Sequence, residues 1–194
     1  MKNPRPELEK YEKFTGKGQK KITEICHAAA KIFHKKGYLS ATLADVANEI
    51  GLTKGGIFHY FSTKEELLFL ILYRYTQTSL EELVENLESI DSPHDRLFAY
   101  ILLFTSKYKE QPYESRLALN EVVHLPERLL DIIKEKQKEF VSILRGLIED
   151  LLEKKRSPKS ITLLTYSLLG MCTWPYRWFN LNGESTIEEL TMVI

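Results

Sequence analysis

Thr53-Lys54-Gly55-Gly56 sets a hydroxyl, an ammonium and two peptide units without side chains in succession at the start of a short apolar-periodic stretch. The free N–H groups and dipole at such a helix start attract phosphate, and side chains there can reach base edges in a major groove. Glycine in a helix costs roughly 1 kcal/mol relative to alanine. Two in a row make sense if the backbone must approach a partner closely. Other reactive residues form weaker patterns. Glu121 and His124 have the E-x-x-H spacing of a bundle metal site, but no companion pair lies on another segment. Cys26 and Cys172 sit far apart in apolar contexts, which predicts buried, reduced thiols rather than a disulfide or metal site. No nucleophile motif and no phosphate loop is present. The residues therefore predict no enzyme, no metal and no cofactor; a helical-bundle metal protein or enzyme is the alternative of another class.

Charge agrees with a polyanionic partner. The 194 residues carry 27 Lys/Arg and 27 Asp/Glu. Met1–Lys64 nevertheless holds twelve basic and six acidic residues, and the remainder holds fifteen and twenty-one. A basic front and an acidic rear point the front at nucleic acid. Ile161–Tyr176 lacks charged side chains, but it is shorter than the roughly 20 residues of a membrane span and is followed by Arg177. A buried helix is expected there, with no membrane partner.

The elements that must position these residues read as helices throughout, an all-α chain. Residues 1–16 are polar, with Pro4 and Pro6, and lack the apolar run of a signal peptide; a disordered arm and a cytoplasmic protein are expected. Ile22, Ile25, Ala29, Ile32 and Phe33 give an apolar face to a first predicted helix over 17–36, which Gly37 ends. Thr42 and Asp45 form a capping box for a second, stopped by Gly51; a third runs over 53–61. The short gap between them is that of a helix-turn-helix. Ser62 and Glu65 predict a cap for the fourth, to about residue 89, and Ser92-Pro93 opens the fifth, to about 110. The sixth covers 113–123, the seventh 126–155, and the eighth starts at Ser157-Pro158. Ser185 and Glu188 begin a ninth. The expected domains are the arm (1–16), a helix-turn-helix DNA-binding domain (17–62) and a larger ligand-binding and dimerisation domain (63–194).

The segment from Ile25 to Leu68 resembles the DNA-binding domain of the TetR family of transcriptional regulators. The pattern is carried by Ala29 and Phe33, Gly37-Tyr38, Thr42, Val46-Ala47, Gly51, Thr53-Lys54-Gly55, Ile57-Phe58, Phe61, Lys64-Glu65 and Leu67. The resemblance implies a nine-helix TetR-like architecture. It also implies that Thr42 and Thr53 bond phosphates, that Lys54, Gly55 and His59 face the major groove, that Gly56 belongs to the same DNA-binding set, and that Tyr60 contacts backbone or base. Lys64 would meet a phosphate, and Lys17, Lys20 and Lys21 would add non-specific charge. Phe58 departs from the family's common tyrosine and loses a hydroxyl contact.

In the predicted larger domain, aromatic and apolar residues recur on facing sides. Buried tyrosine and tryptophan need polar partners, and a cavity offers an apolar wall with polar tips. The expected lining is Tyr100, Phe104, Tyr108, Val123, His124, Phe140, Tyr166, Met171, Trp174, Arg177 and Trp178. The run Gly170–Phe179, GMCTWPYRWF, resembles the end of the eighth helix in a TetR subgroup that responds to acyl-coenzyme A thioesters and controls lipid catabolism. Pro175 departs from that run and should kink the helix. The resemblance implies a repressor released from a palindromic operator by a small hydrophobic effector. Coenzyme A phosphates need cations, and Arg177 is the nearest in this run, with Arg116, Arg128 and Arg145 as lesser candidates. The alternative effector is a drug-like or aromatic molecule. It further implies a homodimer through the eighth and ninth helices, and a fourth helix that carries the ligand signal to the DNA-binding domain.

Overall fold

A computed structural model describes residues 5–152 and 156–194. Ten α-helices and no strands occur among the described residues. They are α1 (Arg5–Glu12), α2 (Lys17–Lys36), α3 (Leu43–Glu49), α4 (Lys54–Phe58), α5 (Lys64–Glu88), α6 (Pro93–Glu110), α7 (Pro112–Asn120), α8 (Glu127–Leu151), α9 (Pro158–Thr173) and α10 (Ile187–Val193). Short 3₁₀ turns follow α7 (Val122–His124) and α9 (Trp174–Arg177).

α1 corrects the expectation of a disordered arm over 5–12; the part of that expectation on residues 1–4 lies outside the described residues. Tyr11 is buried, and its ring lies 5.4 Å from that of Phe61. Phe14 follows three residues later and stands 5.2 Å from Tyr60. The charged residues around these two aromatics hide them in a composition reading, yet their spacing places both against the end of α4. The predicted helices therefore run one number behind α2–α10.

Local chemistry explains the turn. Gly37 and Gly51 have φ of +79° and +66°, a region where an L side chain is strained. At Gly51 the Leu52 N–H returns to the Ala47 carbonyl at 2.8 Å, closing α3 in a Schellman arrangement. Thr42 caps α3 with the full capping box expected. Two other caps sit one residue later than the sequence predicts. α5 is capped by Thr63, whose hydroxyl accepts from Glu66 N at 3.1 Å, while the Ser62 N–H is held by the Glu66 carboxylate. α10 is capped by Thr186 and Glu189. Pro175 ends α9 in a 3₁₀ turn rather than kinking a longer helix, because it has no N–H to continue the ladder. The predicted extension of the seventh helix to Lys155 lies outside the described residues.

Packing groups the chain into two compact units. The first joins the chain through Tyr75 with Tyr113–Glu135, the second joins Thr76–Pro112 with Lys136–Ile194. In the first, Ile22, Phe33, Val46, Ile57, Phe61 and Leu68 form a common core with Leu117, Leu129 and Ile133. Residues 63–75 and 113–135 thus pack with the helix-turn-helix, although the linear division places them with the ligand domain. In the second, Leu83, Tyr100, Ile101, Leu144, Leu147 and Cys172 form the core. There α10 is tied to α6 by a buried hydroxyl pair, Thr105 to Thr191 at 2.9 Å. No helix among the described residues is long and apolar enough to cross a membrane.

Candidate nucleic-acid interface and effector domain

α4 is short and buries one side. Ile57 and Phe61 are fully buried and fix its inner face. Lys54, Gly55, Phe58 and His59 fall on the opposite face at helical spacing, and all four are exposed. Thr53 caps the helix: its hydroxyl oxygen accepts from Gly56 N at 3.0 Å, which leaves the hydroxyl proton to donate outward. A Cβ at Gly55 would meet nothing within 4 Å, whereas one at Gly56 would stand 3.2 Å from the Thr53 hydroxyl. Gly56 thus fits the cap, while nothing in the chain itself demands glycine at 55. Tyr60 is half-buried against Phe14, and the His59 ring stands edge-on to Phe14 at 5.8 Å.

Two expected phosphate contacts are corrected by internal bonds. The Lys64 ammonium donates to the carbonyls of Tyr38, Leu39 and Ala41 at 2.8, 2.8 and 3.1 Å, and lies 4.6 Å from the Tyr38 ring centroid. An ammonium has three donors, so this lysine holds the α2–α3 turn and has none left for phosphate. The Thr42 hydroxyl donates to Asp45 at 2.9 Å, so its proton is committed too. Lys36 pairs with the same carboxylate at 2.5 Å. Its ammonium, together with bonds from the Thr42 hydroxyl and N–H, holds the Asp45 carboxyl down at about 2. Lys17 and Lys20 are exposed on α2, and Lys21 pairs with Glu24 at 2.5 Å.

The expected effector residues separate into three groups. Tyr100, Phe104, Tyr108 and Phe140 come together in the second unit. Tyr100 donates to the Phe140 carbonyl at 3.3 Å and Tyr108 to the Cys172 carbonyl at 2.5 Å, so both hydroxyls are satisfied by backbone. Phe104 lies 6.4 Å from each of these rings. Val123 and His124 belong instead to the first unit. Val123 is 70% exposed, and His124 stacks on Tyr38 at 5.2 Å with Glu121 3.2 Å from its Nε2. They line no site in the second unit, because the turn after α7 packs with the helix-turn-helix core. Tyr166, Met171, Trp174 and Trp178 are exposed, Trp174 at 62% and Trp178 at 58%. With Leu163 and Leu164 they make an outward apolar face of α9 and its 3₁₀ turn, not a cavity wall. Arg177, also exposed, sits over Trp174 and Tyr176 at 5.7 and 5.4 Å.

Sequence reasoning missed a groove of about 400 Å³ along α5 and α6, lined among others by Glu82, Leu102, Leu103 and Lys107. Lys107 is buried and pairs with Glu82 and, at 3.0 Å, with Glu110. Burial opposes its charge, but these carboxylates prevail and raise its pKa. Cys26 and Cys172 are buried free thiols, each pushed up to about 12 by burial. Among the described residues no group of three or more His, Cys, Asp or Glu side chains could hold a metal ion. Glu121 and His124 are simply each other's neighbours.

Comparison with known proteins bears on both units. Residues 25–71 match the family described as bacterial regulatory proteins, tetR family, and residues 90–194 match the tetracyclin repressor-like C-terminal domain. The HTH-type transcriptional repressor KstR2 of Mycobacterium tuberculosis is 22% identical over 173 residues, 86% of this chain and 85% of that protein. The HTH-type transcriptional regulator HbdR of Aromatoleum sp. is 34% identical over 74 residues, 38% of this chain and 32% of that protein. Among solved structures, AibR in complex with isovaleryl coenzyme A and operator DNA superposes with a TM-score of 0.80 at 25% identity, covering 89% of this chain and 94% of that one. The two matched segments together span most of the chain, and the relatives are named as regulators and repressors, not enzymes. The chain belongs to the TetR family of bacterial transcriptional regulators.

Proposed function

We propose that the effector is an acyl-coenzyme A thioester, and that it releases the repressor from a palindromic operator. The observation that carries this reading is the likeness to AibR, a protein solved with isovaleryl coenzyme A and operator DNA, along nearly the whole of both chains. The second unit supplies compatible chemistry. Half-buried Phe104, Phe140, Ile143 and Leu169 border its core and offer apolar surface for an acyl chain. Tyr100 and Tyr108 stand behind them with their hydroxyls already satisfied. Arg177 is exposed and held by two rings, a suitable cation for a coenzyme A phosphate. The functional division proposed is a DNA-binding part built on α2–α4 and a ligand-binding and dimerisation part beyond it, acting in the cytoplasm where the operator lies.

On the DNA side, Thr53, Lys54, Gly55, Gly56, His59 and Tyr60 are proposed contacts, with Lys17, Lys20 and Lys21 adding sequence-independent attraction. The exposed face of α9, with α10, is the proposed dimer surface. Two-fold pairing would set two recognition helices roughly 34–36 Å apart and demand a palindrome. α5 and α8 each contribute residues to both compact units, so they are the proposed carriers of the signal.

The test is anisotropy of a labelled operator, obtained by selection from random duplexes, titrated with the full-length protein. Isovaleryl, medium-chain and long-chain acyl-coenzyme A, free fatty acid and coenzyme A alone are added in turn. One thioester series should weaken binding by on the order of 5- to 150-fold, the usual range of allosteric coupling. Equal affinity with every thioester would exclude this effector class.

A further inference from the structure

We infer that Phe58, with Gly55 three residues before it, forms an apolar notch that reads the C5 methyl group of a thymine in each operator half-site. The inference rests on the reading of α4 as the helix that enters the groove. Ile57 and Phe61 turn inward and are fully buried, so the fold itself does not need a ring at 58. Phe58 is instead 47% exposed, between Lys54 on the preceding turn and His59 beside it. It is the large apolar side chain of an otherwise polar outer face. At Gly55 no atom beyond the helix backbone and the two adjoining residues comes within 4 Å of the place a Cβ would occupy, so the Phe58 ring does not fill the space there. Gly56 is different, because the Thr53 cap crowds it.

The chemistry of the groove selects the partner. Each base pair presents hydrogen-bond donors and acceptors on its major-groove edge, and thymine adds a methyl group. A phenyl ring can neither donate nor accept. Laid against guanine, adenine or the cytosine amino group it would desolvate polar atoms and return nothing. Laid against a thymine methyl it buries two apolar surfaces at once. Lys54 and His59 flank the ring and can serve phosphates or neighbouring edges, so one outward face combines polar contacts with a single apolar reader.

The test uses deoxyuridine, which keeps every hydrogen bond of thymine and lacks only the methyl group. Each thymine of the selected operator is replaced singly, and affinity is measured for the wild-type protein, Phe58→Ala and Phe58→Tyr. One symmetry-related pair of positions should weaken wild-type binding by about fourfold per half-site, the transfer value of one methyl group. Phe58→Ala should bind the thymine and deoxyuridine duplexes equally, and Phe58→Tyr, which keeps the ring, should retain the discrimination. If Phe58→Ala binds neither duplex, Phe58→Tyr against Phe58→Ser carries the comparison, with the difference again expected only for the side chain that keeps an apolar surface. Wild-type affinity indifferent to every replacement, or a deoxyuridine penalty that persists unchanged without the ring, overturns the inference. Either result leaves α4 as the reading helix provided Lys54→Ala still lowers affinity; if Lys54→Ala changes nothing, the reading of α4 itself fails.

Discussion

Replacing Gly55 by alanine separates what the fold needs from what the partner needs. The position is helical, exposed, and has no positive φ, and an added Cβ meets no neighbour within 4 Å. Alanine is favoured over glycine by roughly 1 kcal/mol inside a helix and by less near an end, so Gly55→Ala should stabilise the protein by about 0.5 kcal/mol. For a chain of this size that corresponds to a rise of about 1–2 °C in Tm. The same methyl group stands on the face proposed to approach DNA, where it would hold the backbone off the groove. Operator affinity should fall about tenfold, or 1.4 kcal/mol. Gly56→Ala is the control. Its methyl would press on the Thr53 hydroxyl at 3.2 Å and loosen the cap, so its gain in stability should be smaller than that of Gly55→Ala. Differential scanning calorimetry and operator anisotropy on the two variants read both quantities. A fall in Tm for Gly55→Ala would refute the helical geometry, and unchanged affinity would refute close approach at this point.

Further outcomes follow from the same geometry. The Asp45 carboxyl is held below its ordinary value of 3.8, at about 2, so it supports the folded state fully above pH 4 and loses that support as pH falls towards 2. Acid melts of Asp45→Asn should lack this component; identical acid sensitivity in wild type and variant would contradict the pairing with Lys36 and Thr42. Cys26 and Cys172 should resist Ellman's reagent in the native protein and react at once in guanidinium, and prompt native labelling would show that either thiol is open. Trp174→Lys should shift the protein to a monomer in sedimentation while leaving its helix content intact, since the ring is exposed in the single chain. A dimer as tight as wild type would move the interface away from α9.

Much of the fold could be read because local chemistry decides it. The Thr42–Asp45 box, the positive φ of Gly37 and Gly51 and the Ser92-Pro93 and Ser157-Pro158 starts each depend on a few neighbouring residues. The two misplaced caps have a shared cause. Ser62-Thr63 is followed by Glu65-Glu66, and Ser185-Thr186 by Glu188-Glu189. Each doublet offers two capping boxes one residue apart, and spacing alone cannot choose. At α10 the second box is formed in full, and at α5 Thr63 takes the cap while the Glu66 carboxylate holds the Ser62 N–H. At α10 that choice puts Ile187, Leu190 and Thr191 into the core together.

Tertiary destinations were less legible. Periodicity identifies an apolar face but not what covers it. Leu117, Leu125 and Leu129 could serve either core and join the first, which takes His124 with them onto Tyr38. Tyr166, Met171, Trp174 and Trp178 have the look of a lining, yet they point outward. Lys64 has the charge for a phosphate contact and spends it on three carbonyls. At α4 the capping role of Thr53 and the outward positions of Lys54 and His59 follow from helical spacing; the exposure of Phe58 needs the packing of Ile57 and Phe61 to be seen.

Footprinting of the full-length protein on its selected operator tests the central claim most directly, using dimethyl sulfate to report the major groove. Two α4 helices of a symmetric pair should protect two dyad-related major-groove patches whose centres lie about 10–10.5 bp apart. Adding the active thioester should erase both patches together. A single patch, protection confined to the minor groove, or a pattern without two-fold symmetry would contradict the account.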